Sequence, residues 1–197
     1  GCMAENKLSN KAIGVIYDGT GLGTDDAIWG GEFFVGSPSE FKRVGHLKYV
    51  TLQGGDSIVK EPWRCASSYL LAIDVDPHEF LPQINLLAMD MVKFAIKNKI
   101  KCFKSSSMGR FFDCVAALCG FETQITYDAQ AAIELESIVN EEIYDFYKYY
   151  IHDTEDGFVL GYEDILKDIL KDIRKKELKS IISTKFHNTL IESTTKC

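Results

Sequence analysis

Long apolar runs are missing from this 197-residue sequence, and that absence limits what the protein can be. A helix that crosses a membrane needs about 20 consecutive apolar residues, and no run approaches that length. The first residues, GCMAEN, also lack the basic and then apolar order of a secretory signal peptide. We therefore expect no membrane partner and a cytoplasmic location.

Closely paired cysteines are missing as well. The six cysteines stand at positions 2, 65, 102, 114, 119 and 197, and no two of them form a C-x-x-C pair. This spacing is typical neither of a zinc site nor of a small secreted domain held by disulfides. We expect reduced thiols, with Cys114 and Cys119 as small core residues of an apolar helix.

Positive charge is scarce relative to negative charge. The chain has 22 Lys and Arg against 29 Asp and Glu, which gives a net charge of −7. A surface that binds nucleic acid in general carries an excess of basic residues, so we expect no nucleic-acid partner. The length is sufficient for one packed domain or two small ones.

Glycine, by contrast, is concentrated in one stretch, DGTGLGTDDAIWGGE, at positions 18–32. The apolar run before it, 12–17, predicts a buried strand that ends at Asp18. Glycine permits unusual backbone angles and close approach of another molecule, and a carboxylate beside exposed N–H groups suits a metal-bound phosphate. Asp18-Gly19 equally favours a β-hairpin turn. The two interpretations are compatible, because a hairpin loop can also hold phosphate.

The periodicities along the rest of the chain predict a mixed α/β fold. Three strands at 12–17, 31–35 and 41–50 should form an antiparallel meander, and a short strand is expected at 158–162. Helices are expected from Pro62 onward, at 83–98, 108–119, 127–140 and 165–173, and from 178 to the end.

The same patterns predict which side chains of these helices are buried and where the helices are capped. The helix at 83–98 should direct Leu86, Leu87, Met91, Phe94 and Ala95 inward. The serines at 105–107 should cap the following helix, which should stop at Gly120. The acidic, tyrosine-rich segment 141–152 is predicted to be a surface helix or a docking face.

Two pairs of polar residues fall within these predicted helices. Asp113 lies in the middle of an apolar pattern and needs a partner there, for which Arg110 is the nearest candidate. Gln130 and Glu134 share a face at i, i+4, as solvated polar residues often do. For Arg64, an ion pair with a neighbouring acid and binding of a ligand both stay open.

The longer string YDGTGLGTDDAIWGGEFF, at 17–34, resembles the signature of the last domain of the HypF family of carbamoyltransferases. Stretches at 43–64, 106–120, 126–136 and 185–192 match the same family in the same order. Residues 1–197 are thereby identified as a fragment of that domain, which is similar to the tRNA threonylcarbamoyl-transferase TsaD. The resemblance implies an antiparallel sheet with helices, as part of the duplicated ribonuclease-H-like fold of actin and sugar kinases.

The function that the resemblance implies is part of a carbamoyl transfer in nickel–iron hydrogenase maturation. In the family, carbamoyl phosphate and ATP give carbamoyl-adenylate, and the carbamoyl group passes to the C-terminal cysteine of HypE for cyanide ligand synthesis. The implied cofactors are ATP or carbamoyl-adenylate and, in the complete domain, a divalent metal such as zinc, iron or magnesium. The implied partners are HypE and the remaining HypF domains. We expect the isolated fragment to be inactive, because family segments that complete the site have no counterpart in it.

The resemblance also implies roles for individual residues. Asp18 matches the metal-ligand aspartate of the family, whose other ligands are two upstream histidines and a downstream aspartate. The residues that match nucleotide-binding positions are Gly19, Thr20, Gly21, Gly23, Asp113 and Glu134. The first four match the phosphate loop, Asp113 the acid at the ribose, and Glu134 an acid near the nucleoside. No residue is assigned as catalytic, and the sequence departs from the family at Ala129, where glycine is usual.

Two functions from other classes remain open at this point. A nucleotide-hydrolysing, kinase-like domain would share the fold and the phosphate loop, and a non-catalytic interaction module would need neither. The RVGHL, GGD and EPW strings favour carbamoyl transfer over the kinase-like function, because they belong to the HypF pattern. Nothing in the sequence decides against the interaction module.

Overall fold

The computed structural model of the chain describes residues 2–121 and 124–197. Within these ranges the strands are β1 (Ala12–Leu22), β2 (Ile28–Ser37), β3 (Glu40–Leu47), β4 (Val50–Gln53), β5 (Cys102–Ser105), β6 (Tyr150–Thr154) and β7 (Gly157–Gly161). The helices are α1 (Cys2–Glu5), α2 (Ser57–Lys60), α3 (Pro62–Ala72), α4 (Leu86–Lys97), α5 (Met108–Leu118), α6 (Gln130–Glu136), α7 (Glu163–Arg174) and α8 (Lys179–Lys196). The predicted mixed α/β fold class is confirmed.

The sheet is built on the predicted antiparallel meander of β1, β2 and β3. Strand β1 pairs with β2 from Ala12↔Gly36 to Leu22↔Ile28, and β2 pairs antiparallel with β3. The strand order is β4-β5-β2-β3-β7-β6, with β1 attached to β2. Strands β5 and β7 run parallel to their neighbours β2 and β3, because the chain returns to the sheet through helical or irregular crossovers.

The hairpin between β1 and β2 turns later than the Asp18-Gly19 pair suggested. Both residues lie inside β1, where the register shifts between Tyr17 and Gly21. The turn is five residues further on, where the N–H of Gly23 donates to the Ala27 carbonyl at 2.9 Å. Asp18-Gly19 is therefore part of a bulge, which leaves residues unpaired in the middle of a strand.

Most helix boundaries follow the expected local signals. Pro62 begins α3, and the Ser107 hydroxyl caps α5 by accepting a hydrogen bond from the Arg110 N–H. Gly120 follows the end of α5 with φ of 72°, a left-handed angle that glycine adopts at low cost. Helices α7 and α8 also lie where the apolar periodicity predicts them. Helix α6 is shorter than the predicted 127–140, and β5 occupies a segment without a predicted strand.

The prediction of a surface helix over 141–152 is wrong. Residues 141–149 are irregular and lead directly into β6. Side chains of α8 bind this backbone from the side: the Asn188 amide donates to the Ile143 and Asp145 carbonyls at 2.8 and 3.0 Å. Tyr147 is 2% exposed, and its N–H donates to the Thr189 hydroxyl at 2.8 Å. These tertiary hydrogen bonds replace the ones that a helix would form.

The predicted inner face of α4 is also wrong, except for Ala95. Four of the residues expected inside are mostly exposed, namely Leu86 (68%), Leu87 (70%), Met91 (64%) and Phe94 (63%). The buried face consists of Met89, Val92 and Ala95. Because α4 is apolar on both faces, its hydrophobic period alone does not determine which face packs on the domain.

One hydrophobic core joins the helices to the sheet. Its aromatic centre lies between α3, α5 and α8, where Tyr69 stacks on Phe111 at 5.1 Å and Phe186 meets Phe111 edge-on at 5.2 Å. Cys114 and Cys119 are buried, as predicted. The cysteines whose side chains the structure describes, at positions 65, 102, 114, 119 and 197, are free thiols. In the described parts of the chain, no helix has the length and apolarity required to traverse a bilayer.

Candidate functional site

The candidate site begins at the bulge in β1. Asp18, Gly19 and Thr20 fall between the two paired segments of the strand. The Ser107 hydroxyl lies 2.9 and 2.8 Å from the Asp18 and Gly19 carbonyl oxygens, which serve as its acceptors. The hydroxyl that caps α5 therefore also fixes the bulge against the start of that helix.

Glycines allow the bulge and α5 to approach this closely. A Cβ at Gly109, in the first turn of α5, would lie 2.7 Å from the Cα of Gly19. A Cβ at Gly31, in β2, would overlap the carbonyl oxygen of Ser106. Because even one methyl group would separate these elements, the glycines of the GG and MGR strings have a steric role here.

A cavity of about 330 Å³ opens between the bulge, α5 and the start of α6. It is lined by Asp18, Gly19, Thr20, Val59, Gly109, Arg110, Asp113, Ile125, Asp128, Ala129, Gln130 and Ala132. The structure thus brings together four of the predicted metal- and nucleotide-binding residues, Asp18, Gly19, Thr20 and Asp113, although almost a hundred positions separate Asp18 from Asp113.

Asp113 is the buried acid of this cavity. Its side chain is 8% exposed, and its Oδ2 lies 2.9 Å from Arg110 Nη1, which confirms the expected ion pair. The thiol of Cys65 donates to the same oxygen at 3.9 Å. Burial raises the pKa of Asp113 to about 6 and outweighs the opposing effects of the Arg110 charge and the Cys65 hydrogen bond. At pH 7 the group is mostly an anion that can accept hydrogen bonds.

Gly21 and Gly23 do not line the cavity. Gly21 has returned to the β1–β2 ladder opposite Trp29. Gly23 lies in the hairpin turn, where a Cβ would overlap the Trp29 indole. The part of the predicted phosphate loop that faces the cavity is therefore Gly19 and Thr20, and the assignment of the other two glycines stays a prediction.

Glu134 stands one helical turn behind the cavity. Its Oε1 accepts a hydrogen bond from the Gln130 amide at 2.8 Å, and Gln130 itself lines the cavity. Its Oε2 is buried without a hydrogen-bond partner among the described residues. Gln130 is further held by Thr126, whose N–H donates to Oε1 of Gln130 at 2.8 Å. Glu134 reaches the site through Gln130, and its role toward a nucleoside stays a prediction.

Asp18 offers a carboxylate at the mouth of this arrangement. The residue is exposed, and its Oδ1 accepts a hydrogen bond from the Gly19 N–H at 2.6 Å. Among the described residues there is no cluster of three or more His, Cys, Asp or Glu that could hold a metal ion. A carboxylate oxygen suits a hard divalent cation, but such ions take several ligands. Asp18 therefore fits as one ligand of a larger set.

A second polar cluster, which the sequence reasoning missed, supports the site from behind. Glu32 is 2% exposed, and its Oε1 accepts hydrogen bonds from the Gly30 N–H at 3.2 Å and the Ser106 hydroxyl at 2.5 Å. Its Oε2 binds Arg43 Nε at 2.5 Å, and the guanidinium of Arg43 lies over Trp29 at 4.0 Å. This network fixes β2 to the residues before α5. The sequence contains both partners of this ion pair, Glu32 in the GGE string and Arg43 in the RVGHL string.

Comparison with known proteins defines the class of this domain. Residues 14–197 match the family described as the carbamoyltransferase Kae1-like domain, second subdomain. The fold agrees: a crystal structure of full-length HypF in the phosphate- and nucleotide-bound form superposes with a TM-score of 0.91 at 40% identity. HypF from T. kodakarensis superposes over 93% of this chain with a TM-score of 0.76 at 25% identity.

Sequence relatives give the same result. A carbamoyltransferase HypF homologue from Cupriavidus necator is 40% identical over 69% of this chain, and HypF from Synechocystis sp. is 30% identical over 96%. The chain belongs to the HypF carbamoyltransferase family. The chain spans 35% and 27% of the length of those two relatives. The superposition on full-length HypF includes 99% of this chain and 31% of the HypF chain. The T. kodakarensis structure is covered to 25% of its length.

Proposed function

We propose that this chain is part of an ATP-dependent carbamoyltransferase and holds the nucleotide portion of carbamoyl-adenylate. The carbamoyl group then passes to the C-terminal cysteine of HypE in nickel–iron hydrogenase maturation. The observation that supports this most directly is the cavity, which joins the Asp18–Thr20 bulge to the buried carboxylate of Asp113. Family membership and the nucleotide-bound form of a structural relative support it further.

The cavity offers suitable groups for a nucleotide. The Asp113 carboxylate is an acceptor that a ribose diol can satisfy with both hydroxyls. The backbone at Gly19 and Thr20 is free of the strand ladder and open to the cavity. Main-chain N–H groups can bind phosphate oxygens there, and the Gly19 N–H would exchange its hydrogen bond to Asp18 Oδ1 for one to the ligand. Asp18 would be one of several ligands of a divalent ion, and that ion, when bound, would neutralise phosphate charge.

The transfer itself needs a partner thiol. In the proposed step, the HypE cysteine sulfur forms a bond to the carbamoyl carbon, the bond from that carbon to the phosphate oxygen breaks, and AMP leaves. The thiol proton is lost to a base that the described residues do not identify. We place this step in the cytoplasm, assign the remaining metal ligands to the rest of the complete domain, and assign the activation of carbamoyl phosphate to other HypF domains. The isolated 197-residue chain is then inactive.

The experiment that tests this function replaces Asp18 in the complete protein that contains this chain. Asp18→Asn preserves the size of the side chain and removes its charge. We expect near-normal thermal stability, because Asp18 is exposed, together with loss of bound metal and of carbamoyl transfer to HypE.

The matched control is Asp26→Asn, which removes the same charge from the hairpin turn. Asp26 is exposed and has φ of 61°, an angle that asparagine tolerates. This variant should retain transfer. Full activity of Asp18→Asn, with its metal content unchanged, would remove Asp18 from the site and contradict the proposal.

A further inference from the structure

Arg110 is the one basic residue among the described residues that line the cavity, and its hydrogen bonds are incomplete. Its side chain is 11% exposed. Nε is buried and has no hydrogen-bond partner among the described residues, whereas Nη1 is held by its ion pair with Asp113 Oδ2. A guanidinium carries five N–H donors, and a buried donor without an acceptor destabilises the folded state. An ion pair with Asp113 alone therefore leaves much of this group unsatisfied.

The position of the guanidinium indicates what could satisfy it. Arg110 lines the cavity together with Asp18, Gly19 and Thr20. A Cβ at Gly19 would lie 3.3 Å from Arg110 Nη2, so the guanidinium sits directly against the backbone of the bulge. Its other side faces Asp113, with Nη1 at 2.9 Å from Oδ2. Arg110 thus lies between the bulge backbone and the buried acid.

We propose that Arg110 binds the phosphate attached to the ribose of the nucleotide. This inference rests on the proposed function, in which Asp113 accepts hydrogen bonds from the ribose diol. A ribose carries its diol and its 5′-phosphate a few ångströms apart, and Arg110 and Asp113 are neighbours one helical turn apart. The ligand class is a nucleoside 5′-monophosphate or an acyl ester of it.

The charge of that ligand agrees with a single guanidinium. An acyl-adenylate carries one phosphate with one negative charge, and arginine binds phosphate oxygens with parallel N–H donors. Asp18, Asp113 and Asp128 all add negative charge to the cavity, so without Arg110 the nearby side chains would repel the phosphate. A structural arginine would pair with Asp113 equally well but would not distinguish ligands with and without phosphate.

The test compares AMP with adenosine, titrated calorimetrically into the 197-residue chain in the presence of EDTA. The wild-type chain should bind AMP more tightly than adenosine. Arg110→Gln should weaken AMP binding by about 10- to 100-fold, as expected for loss of charged hydrogen bonds, and leave adenosine binding unchanged. Lys42→Gln removes a positive charge from an exposed position of β3 and should change neither affinity.

Arg110→Lys is the second variant, because Arg110→Gln leaves Asp113 without its charge partner and could prevent folding. Lysine keeps the charge but loses the fork of donors, so the preference for AMP should shrink while the circular dichroism spectrum stays native. Equal binding of AMP and adenosine by the wild type would overturn the phosphate-binding role of Arg110 but not the proposed nucleotide site. So would a parallel loss of both ligands in folded Arg110 variants. If the wild type bound neither ligand, the nucleotide site of the proposed function would fail together with this inference.

Discussion

Ala129 has a left-handed backbone, with φ of 59° and ψ of 13°, at the start of α6. This conformation costs a residue with a side chain roughly 1–2 kcal/mol, whereas glycine adopts it readily. We expect Ala129→Gly to raise the free energy of unfolding by about 1 kcal/mol in urea denaturation.

The control for this change is Ala132→Gly, in the interior of the same helix and on the same cavity. Here glycine should lower the free energy of unfolding by about 1 kcal/mol. If both substitutions destabilised the protein equally, the backbone at Ala129 would carry no strain. The sequence already pointed to this position, because the HypF pattern usually has glycine there.

Because of Asp113, the free energy of unfolding should fall as the pH rises, which is the opposite of the usual effect of an acidic residue. Burial raises the pKa of its carboxyl from 3.8 to about 6 in the folded chain, so the folded state holds this proton more tightly than the unfolded state. The associated stability is fully present below pH 3.8 and is lost as the pH rises through about 6. The loss amounts to about 3 kcal/mol, since one pKa unit corresponds to about 1.4 kcal/mol.

The measurement is the free energy of unfolding of wild type and Asp113→Asn between pH 4 and pH 7.5. Because asparagine does not titrate, the wild-type value should fall relative to the variant by about 2 kcal/mol across this range, the rest of the loss occurring below pH 4. A difference that stays constant with pH would contradict the assigned pKa.

Single positions differ in how far the sequence could define them. The Asp113–Arg110 pair follows from helical spacing and is confirmed at 2.9 Å. The separation of Gly19 from Gly21 could not be foreseen, because it depends on where β1 leaves and rejoins its ladder with β2. The bulge position is a property of two strands together, and one strand's sequence does not contain it.

Elements with local boundary signals were predictable, as α5 shows. Its serine cap and its terminal glycine are both found where the sequence places them. Segment 141–149 lacks such signals, and its backbone is held by α8, more than 40 positions away. Tertiary hydrogen bonds of this kind override local preference, which is why the predicted helix there was wrong.

Helix α4 allows a direct test of which face carries the packing. Met89 is 0% exposed and its sulfur accepts a hydrogen bond from the Ser67 hydroxyl at 3.1 Å, whereas Met91 is 64% exposed. Met89→Ala should lower the free energy of unfolding by about 2–5 kcal/mol through loss of burial and the resulting cavity. Met91→Ala should change it by less than about 0.5 kcal/mol.

Chemical denaturation of both variants under identical conditions checks this pair. The two substitutions remove the same atoms from the same helix, so propensity effects are similar and the difference reports burial. If Met91→Ala lowered the free energy of unfolding more than Met89→Ala, the face predicted from the sequence, which includes Met91, would be the packed one.

The arrangement of the whole domain depends on contacts that span most of the chain. Strands β2 and β5 run parallel, and their ladder consists of one residue pair, Ile28↔Ser105. Glu32 of β2 adds a second link by accepting a hydrogen bond from Ser106, the residue after β5. Both contacts bring together residues more than 70 positions apart. Local periodicity predicted the meander and most helices, but the strand order beyond β3 follows from how these helices cover the sheet. The candidate cavity exists only because of that arrangement.

The 197-residue chain should bind divalent metal ions only weakly, because of the way the domain as a whole presents Asp18. Within residues 2–121 and 124–197, this exposed carboxylate does not form a metal-binding group with two further His, Cys, Asp or Glu side chains. Divalent ions require several oxygen or nitrogen ligands. We therefore expect dissociation constants on the order of 1 mM or weaker for magnesium, zinc and iron(II), the weak end of the range for protein carboxylate sites. Equilibrium dialysis followed by elemental analysis should find less than one equivalent of metal, with Asp18→Asn indistinguishable from wild type. One tightly held equivalent that disappears in Asp18→Asn would show instead that these residues complete a metal site by themselves.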